Sequence, residues 1–221
     1  MSIVVVGGSS GLGAALAMHH DQRGDHVVAT GRRIDRIQSH LRNGGTSKLV
    51  RNDLSNLDAV SMLEPYCRDA DIVYYCAAVA DPHPIRSIFR VNFEAFVELS
   101  KAIDRSGLTI VAISSLAAVV PFVNIPAYCA SKAALETWIE ASRKSMLSRI
   151  VVARPGQFTS ELFEKADAFD PKCVPTELAA RLAEDVLARR RLYYGGVRDR
   201  AAGIGAHILG GHRARRWFLG I

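Results

Sequence analysis

Near the amino end, the β-branched run Ile3-Val4-Val5-Val6 leads directly into Gly7-Gly8-Ser9-Ser10-Gly11-Leu12-Gly13, and then into Ala14-Ala15-Leu16-Ala17-Met18. Few arrangements restrict a fold as strongly. The first run reads as a buried strand and the last as the start of a helix. Glycines between them let the backbone turn tightly and approach a ligand closely. A helix N-terminus offers unpaired N–H groups and the positive end of a dipole, which suits a pyrophosphate. The expected fold is therefore α/β. Its first loop, through Gly7, Ser9, Ser10, Gly11, Leu12 and Gly13, is expected to hold a dinucleotide.

Composition sets the frame for that unit. At 221 residues the chain suits one well-buried domain. Apolar residues make up 49% and charged residues 23%, the balance of a soluble globular protein. No apolar run approaches the length of a spanning helix, and the first one is too short for a signal peptide. Cys67, Cys76, Cys129 and Cys173 form no close pair and fit neither a disulfide framework nor a metal site, so reduced thiols in a cytoplasmic protein are expected.

Strand and helix patterns alternate along the chain. His26–Thr30, Lys48–Arg51, Asp71–Cys76, Leu108–Ser114, Arg149–Ala153 and Leu192–Tyr194 read as further strands, giving about seven. Helical patterns cover Asp58–Arg68, Ile85–Arg105, Tyr128 to about Leu147, and the stretch from Pro175. Within the long Ile85–Arg105 pattern, Asn92 is either a satisfied core amide or part of a site. At the end of the second strand a dinucleotide fold reads the ribose: an acid accepts from the 2′-OH of NAD, whereas arginine suits the 2′-phosphate of NADP. Here Gly31-Arg32-Arg33 stands, with no acid before Asp35, which favours NADP(H) over NAD(H).

The chemistry is expected around Tyr128-Cys129-Ala130-Ser131-Lys132. Residues i and i+4 share a helix face, so Tyr128 and Lys132 point the same way. An ammonium beside a phenol favours phenolate, which a proton-transferring tyrosine needs near neutral pH. Ser115 follows the fifth strand, at the carboxyl edge where open α/β sheets bind ligands.

Gly7-x-x-x-Gly11-x-Gly13, Asn92, Ser115, Tyr128-x-x-x-Lys132 and Arg154-Pro155-Gly156 occur in an order and spacing that resembles the short-chain dehydrogenase/reductase family, over about residues 3–196. The resemblance implies a Rossmann-type, doubly wound, mainly parallel sheet of about seven strands with helices on both faces, and NAD(P)-dependent carbonyl–alcohol chemistry on a small-molecule substrate. Tyr128 would be general acid in reduction and base in oxidation. Lys132 would lower its pKa and hold the nicotinamide ribose, Ser115 would hydrogen-bond the substrate oxygen, and Asn92 would hold a relay water. Asp53, with Leu54 beside it, matches the adenine contact. Ala77 and Ala78 would let the cofactor approach, and Pro155, Gly156 and Thr159 would lie at the nicotinamide. The family's frequent Asn-Asn-Ala-Gly is replaced here by Tyr75-Cys76-Ala77-Ala78, and its basic residue before the second glycine by Ser10. Loops after Ala78 and Thr159 look short, implying less of a lid. A homodimer or homotetramer through the two long helices is the family's habit. A non-catalytic dinucleotide-binding regulator on the same fold is the alternative function.

The net charge of +6 is concentrated at the end of the chain. Nine arginines and three acids lie between Arg181 and Ile221, which accounts for the whole excess. Residues 1–196 read as one domain and 197–221 as a basic tail with the apolar tip Trp217-Phe218-Leu219. A solvated face or self-docking tip is the simpler reading of that tail; peripheral contact with an anionic membrane is the sharper one. Nucleic acid is not an expected partner.

Overall fold

A computed structural model describes residues 1–41, 47–155, 175–188 and 192–194. Gly156, Thr159, the Gln157–Pro175 loop up to residue 174, Cys173 and the basic tail lie outside these residues, as do the expectations placed on them.

Seven strands form one parallel sheet: β1 Ser2–Val6, β2 His26–Gly31, β3 Lys48–Arg51, β4 Ile72–Tyr75, β5 Thr109–Ile113, β6 Arg149–Arg154 and β7 Leu192–Tyr194. Their order is β3-β2-β1-β4-β5-β6-β7, with every neighbouring pair parallel. The fold class read from the sequence is thus the one found. Strand side chains alternate between two covered faces. Val4, Val6, Val73, Tyr75, Ile110, Ala112, Ile150 and Val152 pack on one face against α2 Ala59–Cys67, α4 Ala95–Ala102 and α5 Pro126–Ser142. Ile3, Val5, Ile72, Tyr74, Val111, Ile113, Val151 and Ala153 pack on the other against α1 Gly11–Gln22 and α6 Pro175–Leu187.

Strand order reverses between β1 and β4, and a crevice outside their carboxyl ends is where such sheets take ligands. The loops after the two strands meet there. Gly7 has φ of 84°, and a Cβ on it would lie against the backbone of Ala77. A Cβ on Gly13 would fall on the Gly7 carbonyl oxygen and crowd the Cys76 Cβ.

Two helices differ from the sequence expectation in ways the chemistry explains. The pattern expected to be one helix over Ile85–Arg105 is α3 Ile85–Phe89, a π turn at Arg90–Glu94, and α4. A π turn closes i to i+5 and adds a residue, which accounts for the five-residue step between Val91 and Phe96. The helix expected from Tyr128 to about Leu147 starts earlier, with Pro126 in its first turn, a favoured place for proline. It also stops earlier, at Ser142. The Asp104 carboxylate accepts the Leu147 and Ser148 N–H groups, at 3.0 and 2.8 Å, and draws that segment into the turn before β6.

Candidate active site

Ser115, Tyr128 and Lys132 converge at the carboxyl end of β5. Ser115 follows that strand in an extended conformation and caps a 3-10 turn at Leu116–Ala118, its Oγ accepting the Ala117 N–H at 3.1 Å. The Tyr128 phenol hydrogen-bonds Ser115. One turn along α5, the Lys132 ammonium is buried and donates to the Ile113 carbonyl at 2.8 Å, 5.6 Å from the centre of the Tyr128 ring.

The electrostatics differ from the expectation that Lys132 brings the phenol down. Burial raises the Tyr128 pKa well above its ordinary value, and the hydrogen bond from Ser115 only partly opposes this. Burial also pushes Lys132 down to about 8, against the pull of Cys76 and Glu136. Burial therefore favours the protonated phenol.

Asn92 sits on the π turn, and its side-chain amide is fully hydrogen-bonded within the core. Its Oδ1 accepts the Val79 N–H at 2.8 Å, and its Nδ2 donates to the Val79 carbonyl at 2.8 Å and to Ser131 Oγ at 2.9 Å. Both donors are therefore spent on the chain, clipping the loop after β4 to the π turn and to α5. The family departure at Tyr75 has a matching use. Its hydroxyl donates to the Val91 carbonyl at 2.6 Å, satisfying the same π turn from the end of β4.

The remaining expected residues that are described lie in the loops after β1, β2, β3, β4 and β6. Gly7 and Gly8 donate their N–H groups to the Thr30 carbonyl, at 3.0 and 2.7 Å, which fixes the loop against β2. Ser10 caps α1 without spending its hydroxyl on the helix. The first turn of α1, with Gly11, Leu12 and Gly13, is thus presented to the crevice. Arg32 and Arg33 are exposed between β2 and a 3-10 turn over Ile34–His40. Asp53 accepts the N–H and hydroxyl of Ser55 at 3.0 and 2.8 Å, and Leu54 is buried beside it. After β4, Ala77 lies against Gly7 of the glycine loop and Ala78 packs against the cluster that holds Tyr128, and Pro155 is buried after β6. A helix N-terminus, two arginines and a buried ammonium together match the pyrophosphate, 2′-phosphate and ribose of a dinucleotide. Among the described residues no His, Cys, Asp and Glu cluster could hold a metal, and no helix is long and apolar enough to cross a membrane.

Several supporting residues carry weak sequence signals. Glu136, one turn beyond Lys132, takes Arg154 through two carboxylate oxygens and accepts from Ser114 Oγ at 2.5 Å. That cluster joins α5 to the ends of β5 and β6. Its i+4 spacing from Lys132 was the only local sign of it. Asp81 accepts the Tyr128 N–H at 3.1 Å, capping the first turn of α5 from a loop 47 residues away, where spacing gives no hint. A cleft of about 530 Å³ lies beside the site, walled by Ala117, Val119, Phe122, Val123, Pro126 and Cys129.

A family model for short chain dehydrogenase matches residues 1–170, and the chain belongs to that family. Among curated relatives, 3-ketodihydrosphingosine reductase of Yarrowia lipolytica is 26% identical over 77% of this chain and 55% of its own. NADPH-dependent 1-acyldihydroxyacetone phosphate reductase of Schizosaccharomyces pombe is 31% identical over 60% of this chain and 50% of its own. The chain thus spans about half the length of these two relatives. In fold it is similar to a short-chain dehydrogenase from Burkholderia cenocepacia in complex with NADP, with a TM-score of 0.80 at 21% identity over 93% and 92% of the two chains. A counterpart from Sphingobium yanoikuyae in complex with NADPH gives 0.79 at 20% identity over 94% and 93%.

Proposed function

We propose that this oxidoreductase reduces a carbonyl to an alcohol at the expense of NADPH, with Tyr128 as proton donor. The observation that carries this reading is the Ser115–Tyr128 hydrogen bond beside a buried Lys132 ammonium. A raised phenol pKa favours the acid role, because the proton is present when the substrate oxygen needs it. Ser115 and the phenol donate to that oxygen and stabilise the negative charge that develops on it. Bound NADPH supplies the hydride. Lys132 would hold the nicotinamide ribose hydroxyls and would steady the phenolate left after proton transfer. Asn92 keeps the α5 face in register through Ser131.

The apolar cleft beside Cys129 supports a substrate with an apolar chain. Relatives named for reducing 3-ketodihydrosphingosine and 1-acyldihydroxyacetone phosphate, both ketones bearing such chains, support the same class.

Cofactor preference has a direct test. Arg32→Ala is expected to weaken NADPH binding by about 1.5–3 kcal/mol, the scale of a hydrogen bond to a charged group, and to leave NADH unchanged. Isothermal calorimetry with both cofactors reads this, and equal wild-type affinities would refute the preference.

The pH profile offers a second. Lys132 is charged below about 8 and neutral above it. Because kcat/KM for NADPH reports the free enzyme, it is expected to hold steady below that pH and to fall above it as the ammonium is lost. A profile that rises through the same range would remove Lys132 from cofactor capture.

A further inference from the structure

Arg51 has had no role so far. It ends β3 directly beside Gly31 of β2, so its side chain leaves the sheet next to the Gly31–Arg33 turn. The Asn52 N–H donates to the Gly31 carbonyl at 3.1 Å and fixes the two strand ends together. Two groups hold the guanidinium: Nη1 donates to the Arg32 carbonyl at 2.7 Å, and Nη2 donates to the Asp35 carboxylate. Three arginines, 32, 33 and 51, therefore gather at one corner of the crevice with one acid among them.

The Arg51–Asp35 pair is solvated, with 64% and 68% of the two side chains exposed. Ion pairs of this kind are weak, since solvent screens them and side-chain entropy opposes them. A phosphate monoester brings more charge than a carboxylate and accepts from a guanidinium in the same two-pronged way. Exchanging Asp35 for a phosphate therefore costs little and gains a stronger partner.

We infer that Arg51 is a third arginine of the site for the ribose 2′-phosphate, and that Asp35 holds its place until the phosphate arrives. This rests on the NADPH reading above. Arg51 stays tethered to the Arg32 carbonyl while its second nitrogen moves from Asp35 to the phosphate. When the ribose carries no 2′-phosphate the pair stays closed, and Arg51 adds nothing. The discrimination between the two cofactors is then shared between the Arg32–Arg33 turn and β3.

The test uses calorimetry with NADPH, NADH, adenosine 2′,5′-bisphosphate and AMP on the wild type, Arg51→Ala, Asp35→Asn and the double variant. Both positions are exposed, so the variants are expected to fold. Arg51→Ala is expected to weaken NADPH and the bisphosphate about tenfold while NADH and AMP stay within about twofold. Asp35→Asn is expected to tighten the two phosphorylated ligands about threefold, with that gain absent in the double variant. A wild type that favours NADPH, with Arg51→Ala binding as the wild type does or losing NADH equally, would overturn this inference and leave the NADPH reading standing. A gain from Asp35→Asn that persists without Arg51 would overturn the place-holding role. Equal wild-type affinities for NADPH and NADH would overturn the cofactor reading itself, and this inference with it.

Discussion

Tyr128→Phe is expected to bind NADPH as the wild type does and to lose turnover, with kcat falling by about 10²–10⁴ or more. The substitution removes one hydroxyl from a ring that is otherwise buried. The Tyr128 backbone N–H still donates to Asp81, and Lys132 still donates to the Ile113 carbonyl. Ser115 keeps its place through the Ala117 N–H. Only the proton donor is missing, so the loss belongs in kcat rather than in cofactor affinity. Steady-state kinetics beside a calorimetric NADPH titration separates the two. Near-wild-type kcat would show that another group supplies the proton.

Glu136→Ala carries the largest expected cost in stability. Glu136 is the carboxylate of a pair with Arg154 in which the side chains are only 13% and 6% exposed. Removing it takes the counter-charge from a buried guanidinium and an acceptor from Ser114. Breaking a buried pair from one side costs about 3–5 kcal/mol, because the guanidinium stays desolvated while it loses this carboxylate. Glu140→Ala is the contrast on the same helix. It breaks an ion pair with Arg143 in which Glu140 is 77% exposed, and is expected to cost under about 1 kcal/mol. Urea denaturation of the two variants reads the difference. Similar midpoints would mean that the Glu136–Arg154 cluster does not hold the ends of β5 and β6 to α5.

The sequence carried the sheet because its strands are short runs separated by helical periods, and the central strands are apolar and buried on both faces. It carried the glycine loop because the Gly7 and Gly13 positions admit no side chain against their neighbours. Tyr128 and Lys132 were legible because one helix places them one turn apart. What escaped depends on contacts between elements far apart in the chain. Asp81 reaches Tyr128 through space, Arg51 reaches the Arg32–Asp35 turn across two strands, and Asn92 spends its amide on Val79 and Ser131. The π turn was foreshadowed only by an irregular step in the apolar pattern. The phenol's raised pKa could not be read from spacing at all, because its cause is burial, which a sequence does not state.

The central claim is that this fold is a working NADPH-dependent reductase rather than a silent dinucleotide binder. NADPH carrying deuterium at its reactive ring carbon, incubated with the protein and a panel of ketones and aldehydes that includes long-chain ketones, tests it most directly, with the products read by mass spectrometry. The account predicts one deuterium on the carbinol carbon of at least one product alcohol, and none with Tyr128→Phe. Tight NADPH binding with no labelled alcohol from any carbonyl in the panel would contradict it.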